Sequence, residues 1–194
     1  MKLWGLTGGI GMGKSFAAGV FRRAGIPVFD ADEAVHALQA RGGAAVRPIE
    51  AAFPGSTRDG AVDREALRRM VLGNPAALRR LERIVHPLVR REEAKFLARH
   101  RAEPLVVLDI PLLFETGRRG LDAVLVVSAP AAVQEWRVLR RPGMTPERFA
   151  AIRARQMPDM EKRRRADHVI PTGLSRHHTQ AQLRRLLRKH LPHA

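Results

Sequence analysis

Gly8-Gly9-Ile10-Gly11-Met12-Gly13-Lys14-Ser15 is a complete G-x-x-x-x-G-K-S run, and each residue type in it answers a requirement of phosphate binding. Glycine lets successive backbone N–H groups turn toward one point, lysine carries a charge to the outer phosphate oxygens, and serine offers a hydroxyl to Mg²⁺. Gly8, Gly9, Ile10, Gly11, Met12 and Gly13 are therefore expected to cradle a nucleotide, with Lys14 as a catalytic cation and Ser15 as a magnesium ligand. Carboxylates follow at Asp30, Asp32 and Asp109, each just past an apolar run. At the end of a strand, Asp109 can hold Mg²⁺ or simply serve as a turn residue. Asp32 can orient and deprotonate an acceptor hydroxyl, or cap a helix ahead of Glu33. Asp30 reads as structural, or as an orienting group for magnesium. Arg137 and Arg141 stand one helical turn apart, so a helix continuing through both would aim them from one face as a phosphate clamp.

These groups need elements to hold them. Short apolar runs alternate with helical patterns, an α/β rhythm: strands over 3–6, 26–29, 105–109, 123–127 and 168–170, and helices over 14–23 and 33–39. Near-continuous apolar strands suit a parallel sheet covered on both faces, and such sheets bind ligands outside the carboxyl ends of their strands. Residues 60–100 form a long helical excursion between the second and third strands. Asp63 is expected to cap one helix ending near Leu72, and Asn74-Pro75 to open another whose apolar residues include Leu78, Leu81, Ile84 and Val85. Pro87 should kink or divide that helix. Residues 140–165 are basic and interrupted by Pro142-Gly143 and Pro158, the pattern of a lid over phosphates. Ser175 to Leu191 reads as a closing amphipathic helix.

Composition narrows the classes. A chain of 194 residues with 45% hydrophobic and 28% charged residues is globular, and no stretch is long enough to span a bilayer. Nothing resembling a leader precedes the phosphate-binding run, so a cytoplasmic location without membrane attachment is expected. With no cysteine, thiolate chemistry is excluded. A net charge of +16 raises the question of nucleic acid. The arginines, however, are spread over most helices without interleaved aromatic residues, and no nucleic-acid reader motif appears, so no nucleic-acid partner is expected.

Further blocks extend the motif. Thr7 through Ser15, Gly25-Ile26-Pro27-Val28-Phe29-Asp30-Ala31-Asp32, Leu81 through Val89 with His86-Pro87, Leu108-Asp109-Ile110-Pro111-Leu112-Leu113-Phe114-Glu115, Gln156, and Ala166 through Ile170 follow in this order. Together they resemble the dephospho-coenzyme A kinase family over residues 3 to about 175. The resemblance implies a P-loop kinase fold: a five-stranded parallel sheet flanked by helices, in one domain over 1–194. It also implies a helical acceptor-binding insertion over 60–100 and a lid over 140–165. ATP with Mg²⁺ would donate its γ-phosphoryl group to the ribose 3′-hydroxyl of dephospho-coenzyme A. On this resemblance Asp32 is the base, His86 and Leu112 line the acceptor site, Arg137 and Arg141 attend the phosphates, and a monomer is expected. Other small-molecule kinases, and a nucleic-acid-stimulated NTPase, remain the alternatives. Two departures stand out: Met12 replaces the usual small serine, and Ile170-Pro171-Thr172-Gly173 replaces a polar run containing asparagine. Thr172 thus falls where the adenine contact is expected, which implies a looser preference for ATP over GTP.

Overall fold

The computed structural model describes residues 1–191 and divides into two compact units, Met1–Phe29 with His100 onward, and Asp30–Arg99. In chain order the first unit opens with β1 (Lys2–Thr7), α1 (Lys14–Arg23) and β2 (Val28–Asp30). The chain then enters the second unit through α2 (Ala31–Gln39) and α3 (Val46–Ala52). A short antiparallel hairpin follows, β3 (Thr57–Arg58) and β4 (Ala61–Val62), then α4 (Arg64–Val71) and α5 (Pro75–Arg99). Back in the first unit come β5 (Leu105–Asp109), β6 (Ala123–Ser128), α6 (Ala131–Leu139), α7 (Pro146–Ala154), α8 (Asp159–Arg164), β7 (His168–Pro171) and α9 (Arg176–His190).

The main sheet has five strands in the order β2-β5-β1-β6-β7, and it is parallel. β1 sits at its centre, with Leu3 opposite Val106 on one side and Gly5 opposite Val124 on the other. That register follows from composition: β5 is buried at every position and β6 at all but one, as strands covered on both faces must be. Trp4, Leu6, Ala17, Phe21, Leu125, Val127, Leu183 and Leu187 build the core on one side of the sheet and bring α1 and α9 onto it. Burying such side chains contributes roughly 1.5–3 kcal/mol each. Leu183 and Leu187 are buried and Leu186 partly so, as the amphipathic pattern of the tail requires.

The second unit has its own core, centred on Leu38, Ile49, Phe53, Leu67 and Val85, with Leu81, Ile84, Leu88 and Val89 packed against it. The 60–100 excursion lies within this larger unit. Asp63 caps α4 by accepting from the N–H groups of Glu65 and Ala66, and Asn74 does the same for Ala76 and Ala77 at the head of α5. Asp59-Gly60, both with positive φ, form the two-residue turn that a tight hairpin needs. Of the kink or division expected at Pro87, the division is overturned: α5 runs unbroken for 25 residues, because apolar residues on both sides of the proline pack into one core. Leu78 is 43% exposed and stands outside that core.

In the first unit, Trp4 of β1, His168 of β7 and His190 of α9 form a triangle of rings, the Trp4 centroid 5.5 and 5.0 Å from the two histidines and these 5.1 Å apart. Burial, the neighbouring His168 and the charges of Lys2 and Lys189 push the His190 imidazole below its ordinary value. The folded chain thus favours neutral His190, while the unfolded chain takes up a proton near pH 6.5. The associated stability is complete above that pH and declines as the pH falls toward the folded value. We expect the melting temperature to drop between pH 7.5 and 5.5, and to drop less in His190→Gln. In a Trp136→Phe background, Trp4 emission should report the same transition; identical pH profiles for the two proteins would contradict the assignment.

Candidate active site

The phosphate-binding run joins the carboxyl end of β1 to α1, and its shape is held from outside. Gly13 is the N-cap of α1 at φ 88°, a left-handed conformation that glycine adopts without strain. At Gly8, a Cβ atom would come within 2.6 Å of Val127 Cγ2 and 2.7 Å of Val127 O, so only glycine fits against β6. No side chain caps the first turn of α1 and no acidic residue lies in it. The amide groups there form the kind of terminus that receives phosphate.

Three successive carbonyls of the loop each accept a hydrogen bond from a side chain elsewhere in the first unit. Gln134 Nε2 donates to Ile10 O at 2.7 Å, Arg137 Nη1 to Gly11 O at 3.4 Å, and Thr172 Oγ1 to Met12 O at 2.7 Å. A trans peptide directs its C=O and the following N–H to opposite sides. Fixing these carbonyls outward therefore turns the amides of Gly11 and Gly13 the other way, toward the concave face, while the Met12 amide closes a turn within the loop by donating to Gly9 O at 3.1 Å. Gln156 Oε1 accepts from the Ile10 amide at 3.0 Å, so the Ile10 residue is gripped at both its N–H and its C=O.

The site residues expected from sequence fall into three groups. Lys14 Nζ meets Asp109 Oδ1 at 2.5 Å, with the Asp109 side chain only 2% exposed at the carboxyl end of β5. Ser15 is the next residue of α1 and is exposed. Thus Lys14 and Asp109 come together as residues at the carboxyl edge of a parallel sheet should.

The second group makes contacts that the sequence did not announce. Thr172 is 4% exposed and turned inward; its hydroxyl serves Met12 O, lies 3.2 Å from Ser128 O, and accepts from Arg137. Its hydroxyl braces the loop. Arg137 spends its guanidinium on Gly11 O, Thr172 Oγ1 and, at 2.6 Å, Thr172 O. Arg141 is not its partner on a helix face, because α6 stops at Leu139 and Arg141 lies exposed beyond the C-cap, just before Pro142-Gly143. Met12 is more than a backbone position: it is 3% exposed in the core and its sulfur accepts from Ala129 N at 3.1 Å. Leu112 is 40% exposed in the turn after β5.

Asp32 and His86 belong to the second unit. The helix cap expected of Asp32 is supplied by Asp30, whose Oδ1 accepts from the Asp32 and Glu33 amides at 3.0 and 3.1 Å. That leaves the exposed Asp32 carboxylate in the first turn of α2, with no side-chain hydrogen bond or ion pair among the described residues. His86 is exposed on α5.

The basic 140–165 segment is anchored by contacts that the sequence did not reveal. Lys162, fully buried, meets Glu115 Oε1 at 2.9 Å, and Glu115 also accepts from the Met157 amide at 2.7 Å. Burial acts to raise the Glu115 pKa, but these two donors outweigh it and hold the carboxyl below its ordinary range. Asp159 accepts from Ser128 Oγ at 2.7 Å. Between this segment and the phosphate loop lies a cavity of about 520 Å³, lined by Gly9, Met12, Gln134, Arg153, Gln156 and Asp159 among others.

A glycine-built phosphate loop, a lysine paired with a strand-end carboxylate, and this cavity are the parts of a nucleotide site. Comparison with known proteins decides which kind. The family model described as dephospho-CoA kinase matches residues 2–175. The chain belongs to the dephospho-CoA kinase family. A dephospho-CoA kinase from Mesorhizobium japonicum is 60% identical over 176 residues, covering 89% of this chain and 88% of that protein. A solved structure from Thermus thermophilus is 39% identical, with TM-score 0.85 and 97% of each chain covered. The dephospho-CoA kinase of Campylobacter jejuni, 21% identical with TM-score 0.67 and 97% of each chain covered, shares the fold.

Within this family member, Thr172→Val keeps the shape but removes the donor to Met12 O. Leaving a buried carbonyl unmet costs about 1–3 kcal/mol. We expect a lower melting temperature and ATP affinity weakened roughly tenfold, since 1.4 kcal/mol is a factor of ten. The ratio of ATP to GTP turnover should not move. Intact stability with an altered ATP/GTP ratio would return Thr172 to the nucleotide base.

Proposed function

We propose that this chain transfers the γ-phosphoryl group of ATP to the ribose 3′-hydroxyl of dephospho-CoA, giving CoA and ADP. The observation that carries this reading is the match of the family model to nearly the whole chain, with a complete phosphate loop inside it. Phosphoryl transfer asks little covalent chemistry of a protein; it asks for in-line positioning and for cations on the transferring oxygens. Outward-braced carbonyls give the loop a fixed set of inward amides, so the donor phosphates meet a preorganised cradle. Lys14 adds a positive charge on a short tether, and Asp109 holds its ammonium in place until phosphate oxygens compete for it.

Ser15 and Asp109 are the residues we assign to Mg²⁺. A hydroxyl and a carboxylate supply only oxygen, which suits a hard cation, and Asp109 Oδ1 already faces a cation at 2.5 Å. When bound, the ion would neutralise charge on the phosphate oxygens. Arg141, exposed and without a side-chain partner among the described residues, is the arginine we assign to the phosphates, and residues 140–165 are the lid that would carry it inward. Arg137 acts as a positioning residue through Gly11 and Thr172.

On the acceptor side, the second unit is the acceptor-binding unit in this reading, with His86 contacting dephospho-CoA and Leu112 offering exposed apolar surface from the first unit. Asp32 is the base. Because Asp30 takes the capping duty, the Asp32 carboxylate is available to orient the 3′-hydroxyl and accept its proton as the O–P bond forms. Positioned general bases contribute roughly 10²–10⁴-fold. Following CoA by mass, we expect Asp32→Asn to lose at least about a hundredfold in kcat, with ATP affinity retained. A kcat within about tenfold of wild type would remove Asp32 from this role.

A further inference from the structure

One face of α5 carries a feature that the phosphate loop and the proposed base leave unused. Arg79, Arg83, His86 and Arg90 recur at spacings of four, three and four residues, so they line one side of the helix. With Ala76, Glu82 and Pro87 they border an open depression of about 610 Å³ that lies wholly in the second unit. The three arginines are exposed and have no acidic partner among the described residues. Other helical cations do find one: Arg68 pairs with Glu65, Lys95 with Glu92 and Arg165 with Glu161. Three unpaired guanidinium groups against one carboxylate in a concavity repel one another, and a bound anion relieves that repulsion.

We infer that Arg79, Arg83 and Arg90 seat the diphosphate of the acceptor. This rests on the proposed function. Dephospho-CoA carries its negative charge on the diphosphate that joins adenosine to the pantetheine arm, and the flat guanidinium fork matches phosphate oxygens two at a time. From Arg79 to Arg90 the helix rises about 16 Å, at 1.5 Å per residue. That is longer than a diphosphate, so the stripe accommodates an extended molecule with His86 between two of its arginines. Nucleic acid fits this face less well: no Phe, Tyr or Trp lines the depression for stacking, and Glu82 sits within it.

The test is calorimetric titration of Mg-ATP and of dephospho-CoA into wild type, Arg83→Gln, Arg79→Gln/Arg90→Gln and Arg83→Lys, with CoA formation followed on the same samples. Arg91→Gln, a neighbouring exposed arginine outside the depression, is the control. Each lost arginine should weaken dephospho-CoA binding by about fivefold, an exposed ion pair's range. Arg83→Lys should fall between wild type and Arg83→Gln, ATP affinity should stay within about twofold, and Arg91→Gln should match wild type. If the glutamine variants bind dephospho-CoA as tightly as wild type, the inference fails. It fails equally if they lose only affinity for a single-stranded oligonucleotide, which would give the face to nucleic acid. A wild-type protein that forms no CoA would instead remove the proposed function, so the two failures are separable.

Discussion

Everything at the nucleotide end of the protein depends on keeping the carbonyl oxygens of Ile10, Gly11 and Met12 turned outward. A peptide cannot aim its N–H inward and its C=O inward at once, and a buried carbonyl without a donor is costly. Gln134, Arg137 and Thr172 supply the three donors, two from α6 and one from just past β7. The phosphate cradle is therefore a property of three chain segments and not of the glycine-rich loop alone. This also explains Met12 at a position where a small residue would serve: its backbone closes the loop on Gly9 O and ties it to Thr172, while its side chain fills the core and accepts from Ala129 N.

The same economy of polar groups anchors the segment carrying α7 and α8. Glu115 and Lys162 are a pair whose separation would strand a charge in the interior, and breaking such a pair is strongly destabilising. Because Glu115 also holds the Met157 amide, and Asp159 holds Ser128, the hinge end of the proposed lid is fixed to the turn after β5 and to β6. A lid needs such a root if its distal arginines are to move reproducibly. The second unit, with a separate hydrophobic core, needs no part of this network to fold its own helices.

Much of this was legible from sequence wherever the determining interaction is short-range. Apolar runs located all five strands of the main sheet, and Asp63 and Asn74 cap the helices that their types and positions announced. The G-x-x-x-x-G-K-S run located the loop, and Asp109 proved to face Lys14 across it. Failures came where long-range packing decides. Pro87 sits inside a continuous helix because neighbouring apolar residues share one core, and Arg141 leaves the helix because α6 ends at Leu139. The roles of Gln134, Gln156 and Thr172 were hidden, since each bonds to backbone more than 120 residues away in sequence. Asp30 and Asp32 both had the chemistry of a cap, and only the backbone conformation at Asp30 assigns it. The Asp59-Gly60 hairpin carried a clear turn signal that helical patterning on either side obscured.

The central claim is that this braced cradle delivers the terminal phosphoryl group of ATP to one hydroxyl of dephospho-CoA. Its most direct test is the fate of that group: incubate the protein with γ-³²P-labelled Mg-ATP and dephospho-CoA, separate the products, and locate the new phosphate by ³¹P–¹H NMR. The label should appear in CoA as a phosphate on the ribose 3′ oxygen, with one ADP formed per phosphate transferred. Label released as inorganic phosphate while dephospho-CoA stays unmodified would contradict the account.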